Sequence, residues 1–173
     1  MSKILLCVSG SISAYKSPSI ANALASQGHS VKVILTNSAK EFITKLSFSS
    51  QGFKTYDDQD DFNSDGVLHI ELIRWADTVL VAPMSANTLA KISGGFADNL
   101  LTTSLRAADW KKQKLVFCPA MNTNMFLHPI TQMQMDILKT WGGKEIVPVS
   151  KKLACGEYGI GALAPISDIL CGI

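Results

Sequence analysis

The sequence predicts a three-layer α/β fold, Rossmann-like or flavodoxin-like, with a mostly parallel sheet. Three observations carry this. Short apolar runs of strand length recur at 4–8, 31–35, 78–82 and 115–118. Segments with helical period or helix-capping signals lie between them. Polar motifs follow the ends of several runs, where open α/β sheets collect their ligands. Strands alternating with helices imply parallel strands covered on both faces.

The elements follow in order. Residues 4–8 form a buried strand that ends at Ser9-Gly10. Ser17-Pro18 reads as an N-cap followed by proline at the first helical position, and Gly28 as the stop of that helix. Residues 31–35 form a second strand and 39–46 a helix. The stretch 47–66 is polar and turn-rich, with acidic residues at 57, 58, 60, 61 and 65, and reads as an irregular connection or flap. A short helix over 69–76, a strand over 78–82 and a helix over 85–93 come next, and Gly94-Gly95 ends the last of these. Helix 98–108 and strand 115–118 precede a helix over 130–141, whose apolar positions 130, 133, 137, 138 and 141 match the helical period. Ile146-Val147 starts the last strand, 148–161 is a long loop, and a terminal helix begins at Pro165.

At 173 residues the chain reads as a single domain, 1–173, large enough for a substantial core. Hydrophobic residues make up 47% and charged residues 17%, which excludes a disordered chain. The net charge of +2 is spread without basic runs, which argues against nucleic acid as a partner. No apolar stretch reaches the roughly 18 residues that span a bilayer. Residues 1–6 enter a strand without a leader pattern, so a cytoplasmic location is expected. Mean hydropathy is slightly positive, +0.19. That fits an oligomer with an apolar interface as well as it fits a well-filled core.

Four cysteines, Cys7, Cys118, Cys155 and Cys171, are expected as free thiols, and none has metal-ligand spacing. Cys7 and Cys118 lie in strands and read as core. Cys155 stands in a loop, Ala154-Cys-Gly-Glu157, with further glycines at 159 and 161. Glycine there permits close approach to a ligand or motion as a lid. The three histidines are too scattered for a metal site, and no metal is expected. His69 starts a short helix and is a candidate base, His29 reads as surface, and His128-Pro129 as a turn.

The first βα turn, Ser9-Gly-Ser-Ile-Ser-Ala-Tyr-Lys16, offers amides and hydroxyls that can hold a phosphate. It carries one of the three glycines of a dinucleotide fingerprint. The second strand ends in Leu35-Thr-Asn37, without an acidic residue for an adenosine ribose. Tyr15 stands where a Walker loop needs glycine. NAD and ATP are therefore disfavoured, while a mononucleotide phosphate and an ordinary polar turn both remain open. Two further motifs, Ala82-Pro-Met-Ser-Ala-Asn-Thr88 and Pro119-Ala-Met-Asn-Thr-Asn-Met125, follow strands. Asn122 can bind a carboxylate or a cofactor edge, or cap a helix, and Ser85 and Asn87 share that ambiguity. Met121, Met125, Met133 and Met135 read mostly as core, in part as a soft pocket lining.

Taken together, these segments resemble the flavin-containing cysteine decarboxylase family over nearly the whole chain. The resemblance rests on Gly10-Ser-Ile-Ser-Ala-Tyr-Lys16, Leu68-His-Ile-Glu-Leu-Ile-Arg-Trp-Ala-Asp77, Pro83 to Thr88, Pro119 to Met125 and Leu153-Ala-Cys-Gly-Glu157, in that order. Met84 and Phe126 stand where relatives often carry other apolar residues.

The resemblance implies FMN as cofactor and 4'-phosphopantothenoylcysteine, of coenzyme A biosynthesis, as substrate. It implies transfer of a hydride from the cysteinyl Cβ to FMN, decarboxylation of the resulting thioaldehyde to an ene-thiol, and re-reduction to 4'-phosphopantetheine. By position, His69 is the base of the oxidative half, Asn122 orients the substrate carboxylate, and Cys155 is the final proton donor. FMN is held by Gly10, Ser11, Ser13, Thr36, Phe42, Ser85, Ala86, Asn87, Thr88 and Ala120. The substrate meets Met121, Asn122, Ala154 and Cys155.

Family members are homotrimers or dodecameric assemblies of trimers with flavin between subunits. Many bacterial relatives carry an added ligase domain; with 173 residues this chain leaves that step to a separate protein. Three other activities sit near this resemblance: a peptidyl-cysteine decarboxylase, a flavin prenyltransferase, and a non-catalytic phosphatase regulatory subunit. The prenyltransferase should lack the His69, Asn122 and Cys155 set. The regulatory subunits usually have acidic tails or a missing catalytic residue. The Cys155 lid argues against the peptide-modifying branch.

Overall fold

A computed structural model describes residues 1–64 and 67–173. Asp65 and Gly66, the last residues of the expected 47–66 connection, lie outside the described residues. Six parallel strands form the central sheet: β1 (Lys3–Val8), β2 (Ser30–Leu35), β3 (Lys54–Tyr56), β4 (Thr78–Met84), β5 (Lys114–Pro119) and β6 (Lys144–Glu145). Their order across the sheet is β3-β2-β1-β4-β5-β6, the arrangement of doubly wound Rossmann sheets. The chain direction across the sheet reverses between β1 and β4, which pair from Ile4↔Thr78 to Cys7↔Val81. A crevice opens at the carboxyl ends of strands at such a reversal.

The apolar run of β1 has a direct packing cause. Ile4, Leu6 and Val8 face one layer, with Ile20 and Leu24 of α1 (Ser17–Ser26), Phe48 of α3 (Leu46–Ser49) and Ile169 of α10 (Ile166–Cys171). Leu5 and Cys7 face the other layer. That layer is built from α5 (Leu68–Trp75), α6 (Ala86–Ser93), α7 (Leu100–Arg106) and α9 (Pro129–Thr140). With both faces covered, each fully buried leucine or isoleucine stabilises the fold by roughly 1.5–3 kcal/mol. The expected three-layer α/β architecture is the observed one.

Four expectations are corrected. The helix expected over 39–46 is only the short α2 (Asn37–Lys40), capped by the Thr36 hydroxyl. After it the chain turns so that Ile43 and Phe48 both reach the core, and Lys40 and Lys45 both bind Asp57. Tertiary ion pairs and core anchors there override helix continuation.

The 47–66 stretch is ordered over its described part, as α3, β3 and α4 (Asp58–Asn63). Two of its acidic residues form a capping box. The Asp57 side chain accepts from the amides of Gln59 and Asp60, and the Asp60 side chain accepts from the amide of Asp57. Carboxylates favour the first turn of a helix.

Ser17 is not a cap: it lies buried within α1, and its hydroxyl donates to the Ala82 carbonyl at 3.1 Å. Finally, the last strand of the main sheet is Lys144–Glu145, and the expected 148–161 loop is largely an antiparallel hairpin of β7 (Val149–Lys152) and β8 (Tyr158–Ala162). The exposed Ser-Lys-Lys of β7 breaks apolar alternation, so no strand signal shows in the sequence. None of the helices is long and apolar enough to cross a membrane among the described residues.

Candidate active site

The site begins where β1 ends. Ser9 is fully buried; its amide and hydroxyl both donate to the Pro83 carbonyl, at 3.2 and 2.8 Å, and its oxygen accepts the Ser85 amide at 2.8 Å. One hydroxyl thus ties the ends of β1 and β4 together and fixes where α6 starts. The Ala82–Pro83 peptide is cis. The Ser85 hydroxyl caps α6 by accepting from the Thr88 amide. On β1's side, Ser11 caps a short 3-10 turn over 12–16 and donates to the Ala120 carbonyl at 3.5 Å. Gly10 packs so closely on Ser38 that an added Cβ would displace the turn after β2.

These turns floor a cleft of about 810 Å³. It is roofed by the β7–β8 hairpin. The hairpin is held down by the Met121 amide donating to the Gly161 carbonyl at 2.9 Å and the Thr123 hydroxyl donating to the Ile160 carbonyl at 2.7 Å. Close approach requires glycine: a Cβ at Gly161, whose φ is 137°, would fall on the Met121 carbonyl oxygen, and one at Gly159 on the Thr123 hydroxyl.

Residues far apart in the chain meet here. Asn122 caps α8 (Thr123–Leu127) by accepting from the Asn124 amide at 2.8 Å, and its Nδ2 donates to the Cys155 thiol sulfur at 3.4 Å. The Cys155 thiol in turn donates toward the Glu157 carboxylate at 3.8 Å. Both readings of Asn122, cap and ligand group, are therefore compatible: the cap uses the amide oxygen and leaves the amide nitrogen to the cleft. Cys155 is exposed at the hairpin tip. Cys7 and Cys118 are buried, and burial pushes their thiols up, which makes them inert core residues.

Gly10, Ser11, Ser13, Thr36, Ser85, Ala86, Asn87, Thr88 and Ala120 all line the cleft, as do Met121, Asn122, Ala154 and Cys155. Two expected site residues do not. Phe42 follows α2 and is 46% exposed. His69, near the start of α5, stands against Asp61 of α4 with its side chain 21% exposed. Met125 lines the cleft, Met133 is exposed and Met135 lies in the core.

Sequence reasoning missed the cationic wall. Lys16, Lys151 and Lys152 line the cleft. Burial and the neighbouring Lys151 charge both push the Lys16 pKa down, which favours an anion between them. The Lys-Lys pair directly before Leu153-Ala-Cys155 was the available signal. Asn37 and Ser38, just after Thr36, were missed as well. Among the described residues no cluster suited to a metal ion is present.

Comparison with known proteins identifies the family and the fold. The flavoprotein family model matches residues 1–173. The chain is 45% identical over 179 aligned positions to the phosphopantothenoylcysteine decarboxylase of Mus musculus, covering 99% of this chain and 85% of that protein. A solved cysteine-to-serine mutant of PPC decarboxylase, complexed with pantothenoylaminoethenethiol, superposes with a TM-score of 0.91 at 42% identity, over 98% of this chain and 94% of that one. The FMN binding protein AtHal3 superposes with a TM-score of 0.88 at 42% identity, over 98% and 93%.

Proposed function

The chain belongs to the flavoprotein family, and from that premise we propose that it is an FMN-dependent carboxy-lyase converting 4'-phosphopantothenoylcysteine to 4'-phosphopantetheine and CO2 in coenzyme A biosynthesis. The observation that carries this is the contact between Asn122 and Cys155, 33 residues apart, over a cleft lined by the hydroxyls of two βα turns. The residues present fit FMN. The cleft is of the size of cofactor pockets, about 300–1,000 Å³, and its floor is made of small hydroxyl-bearing residues and of Gly10, where a side chain would intrude. Gly10, Ser11, Ser13, Thr36, Ser85, Ala86, Asn87, Thr88 and Ala120 are the residues that would hold it, with Phe42 at a subunit boundary.

FMN, when bound, supplies the hydride acceptor and donor of the cycle. The chain supplies placement and protons. His69 takes the substrate thiol proton in the oxidative half. The Asn122 amide nitrogen donates to the substrate carboxylate and holds it until CO2 departs. Met121 and Ala154 pack on the cysteinyl moiety, and Lys16 and Lys151 receive the phosphate end. Cys155, carried by the hairpin, gives its proton to the ene-thiol when that is reduced; this favours the complete cycle over the peptide-modifying branch, which stops at the ene-thiol.

The active form in this reading is a homotrimer, or a dodecamer built from trimers, with flavin between subunits. Support comes from His69 and Phe42, which stand off the cleft of their own chain, and from the exposed apolar stripe Ile130, Met133 and Ile137 on α9. The protein acts as one domain in the cytoplasm, a compartment that suits its free cysteines. Mass spectrometry of 4'-phosphopantothenoylcysteine incubated with the FMN-loaded protein tests the proposal. 4'-Phosphopantetheine is the expected product; accumulated ene-thiol would indicate the peptide-modifying branch, and unchanged substrate would refute decarboxylation.

A further inference from the structure

The acidic helix α4 packs against α5, and its carboxylates are not equivalent. Asp57 is committed to Lys40 and Lys45, and Asp60 to Lys45 and the Asp57 amide. Asp58 accepts the Leu100 amide at 2.8 Å. Asp61 differs: its Oδ1 lies 3.6 Å from His69 Nδ1. Both atoms are shielded from solvent, and neither has a hydrogen-bond partner among the described residues. Two buried polar atoms facing each other, each otherwise unsatisfied, call for one hydrogen bond between them. The separation is just beyond hydrogen-bond length, and a small rotation of either side chain closes it.

An ionised carboxylate only accepts, so the proton between the pair must sit on Nδ1. Neutral imidazole carries one N–H, and placing it on Nδ1 makes Nε2 the atom with the free lone pair. The opposite tautomer would set the Nδ1 lone pair against the carboxylate and leave both unsatisfied. What exposure the His69 ring has is through its other atoms, since Nδ1 itself is covered.

We propose that Asp61 is a positioning residue that accepts the Nδ1 proton of His69 and thereby fixes Nε2 as the basic atom. This rests on the reading of His69 as the base of the oxidative half. The proton then moves from the substrate thiol to Nε2, Nδ1 keeps its own, and the Asp61 carboxylate faces the resulting imidazolium without taking a proton.

The test is 15N NMR of histidine-labelled, FMN-loaded protein, with His69 assigned among the three histidines by its loss in His69→Asn. In the neutral form, the Nδ1–H tautomer is expected in the parent protein and in Asp61→Glu, and a mixed or reversed population in Asp61→Asn. Release of CO2 should fall in Asp61→Asn on the order of tenfold to a hundredfold and recover in Asp61→Glu, with FMN content unchanged. An Nε2–H tautomer in the parent protein overturns the proposal without any Asp61 variant. So does an Asp61→Asn protein with parental tautomer and rate. Undiminished CO2 release by His69→Asn instead removes the base assignment itself, which separates the two failures.

Discussion

Gly161→Ala is expected to separate the two halves of the reaction. Gly161 sits at φ 137° with its missing Cβ aimed at the Met121 carbonyl oxygen. Forcing a side chain into that backbone region costs on the order of 1–3 kcal/mol. Relieving the overlap moves β8 away from the 121–123 loop and breaks two hydrogen bonds, Met121 amide to Gly161 carbonyl and Thr123 hydroxyl to Ile160 carbonyl. Each contributes about 1 kcal/mol. The docked form carries the strain and escapes it only by giving up those bonds, so the docking equilibrium constant falls by the strain alone, roughly fivefold to a hundredfold for about 1–3 kcal/mol at 1.4 kcal/mol per tenfold.

Because Cys155 rides on this hairpin, formation of 4'-phosphopantetheine should drop by about that factor; Ala154 and Lys151 ride on it too, so KM should rise, while CO2 release at saturating substrate stays within a few-fold. The assay is a time course of ene-thiol and final product by mass spectrometry. Trypsin cleavage at the exposed Lys151 and Lys152 provides a parallel readout of undocking. A variant that undocks by proteolysis yet re-reduces the ene-thiol at the parental rate would refute the link between hairpin docking and proton donation.

The remaining expectations are briefer. Cys155→Ser should bind FMN and release CO2 but accumulate the ene-thiol; full product formation would end its role as proton donor. His69→Asn should keep its flavin spectrum and lose CO2 release by roughly a hundredfold or more, read by a coupled CO2 assay. Asp57 gives a pH signature. Burial alone would raise its pKa, but hydrogen bonds from Lys40 and Lys45 outweigh this and hold it down to about 2. The folded value lies below the ordinary carboxylate value of about 3.9, so the ionised group stabilises the fold above about pH 4. That contribution, about 2 kcal/mol, is lost as pH falls toward 2. In urea unfolding, the stability gap between the parent protein and Asp57→Asn should be wider by that amount at pH 5 than at pH 2; a gap independent of pH would contradict the ion-pair account.

Strands β1, β4 and β5 were legible because they are buried on both faces, and such strands write themselves as continuous apolar runs; the short edge strands β3 and β6 carry no such run. The turns after them were legible because Ser9, Ser85 and Asn122 follow those runs directly. The 47–66 and 148–161 segments were not. Their elements are held by ion pairs such as Lys40–Asp57 and by contacts with distant backbone, as at Gly161. Neither leaves a periodic mark on local sequence.

The sequence by itself determined the layered α/β architecture, the family resemblance and, through the motifs after the strands, the small hydroxyl- and amide-bearing residues that floor the cleft, since local apolar pattern and residue type are properties of the chain alone. Only the tertiary structure decided that Cys155 reaches Asn122, that Lys16 meets Lys151 and Lys152, that His69 faces Asp61 instead of the cleft of its own chain, and that the lid is a hairpin. Each of these depends on the distance between segments far apart in sequence, and that distance is set by strand order and packing, which no local pattern encodes.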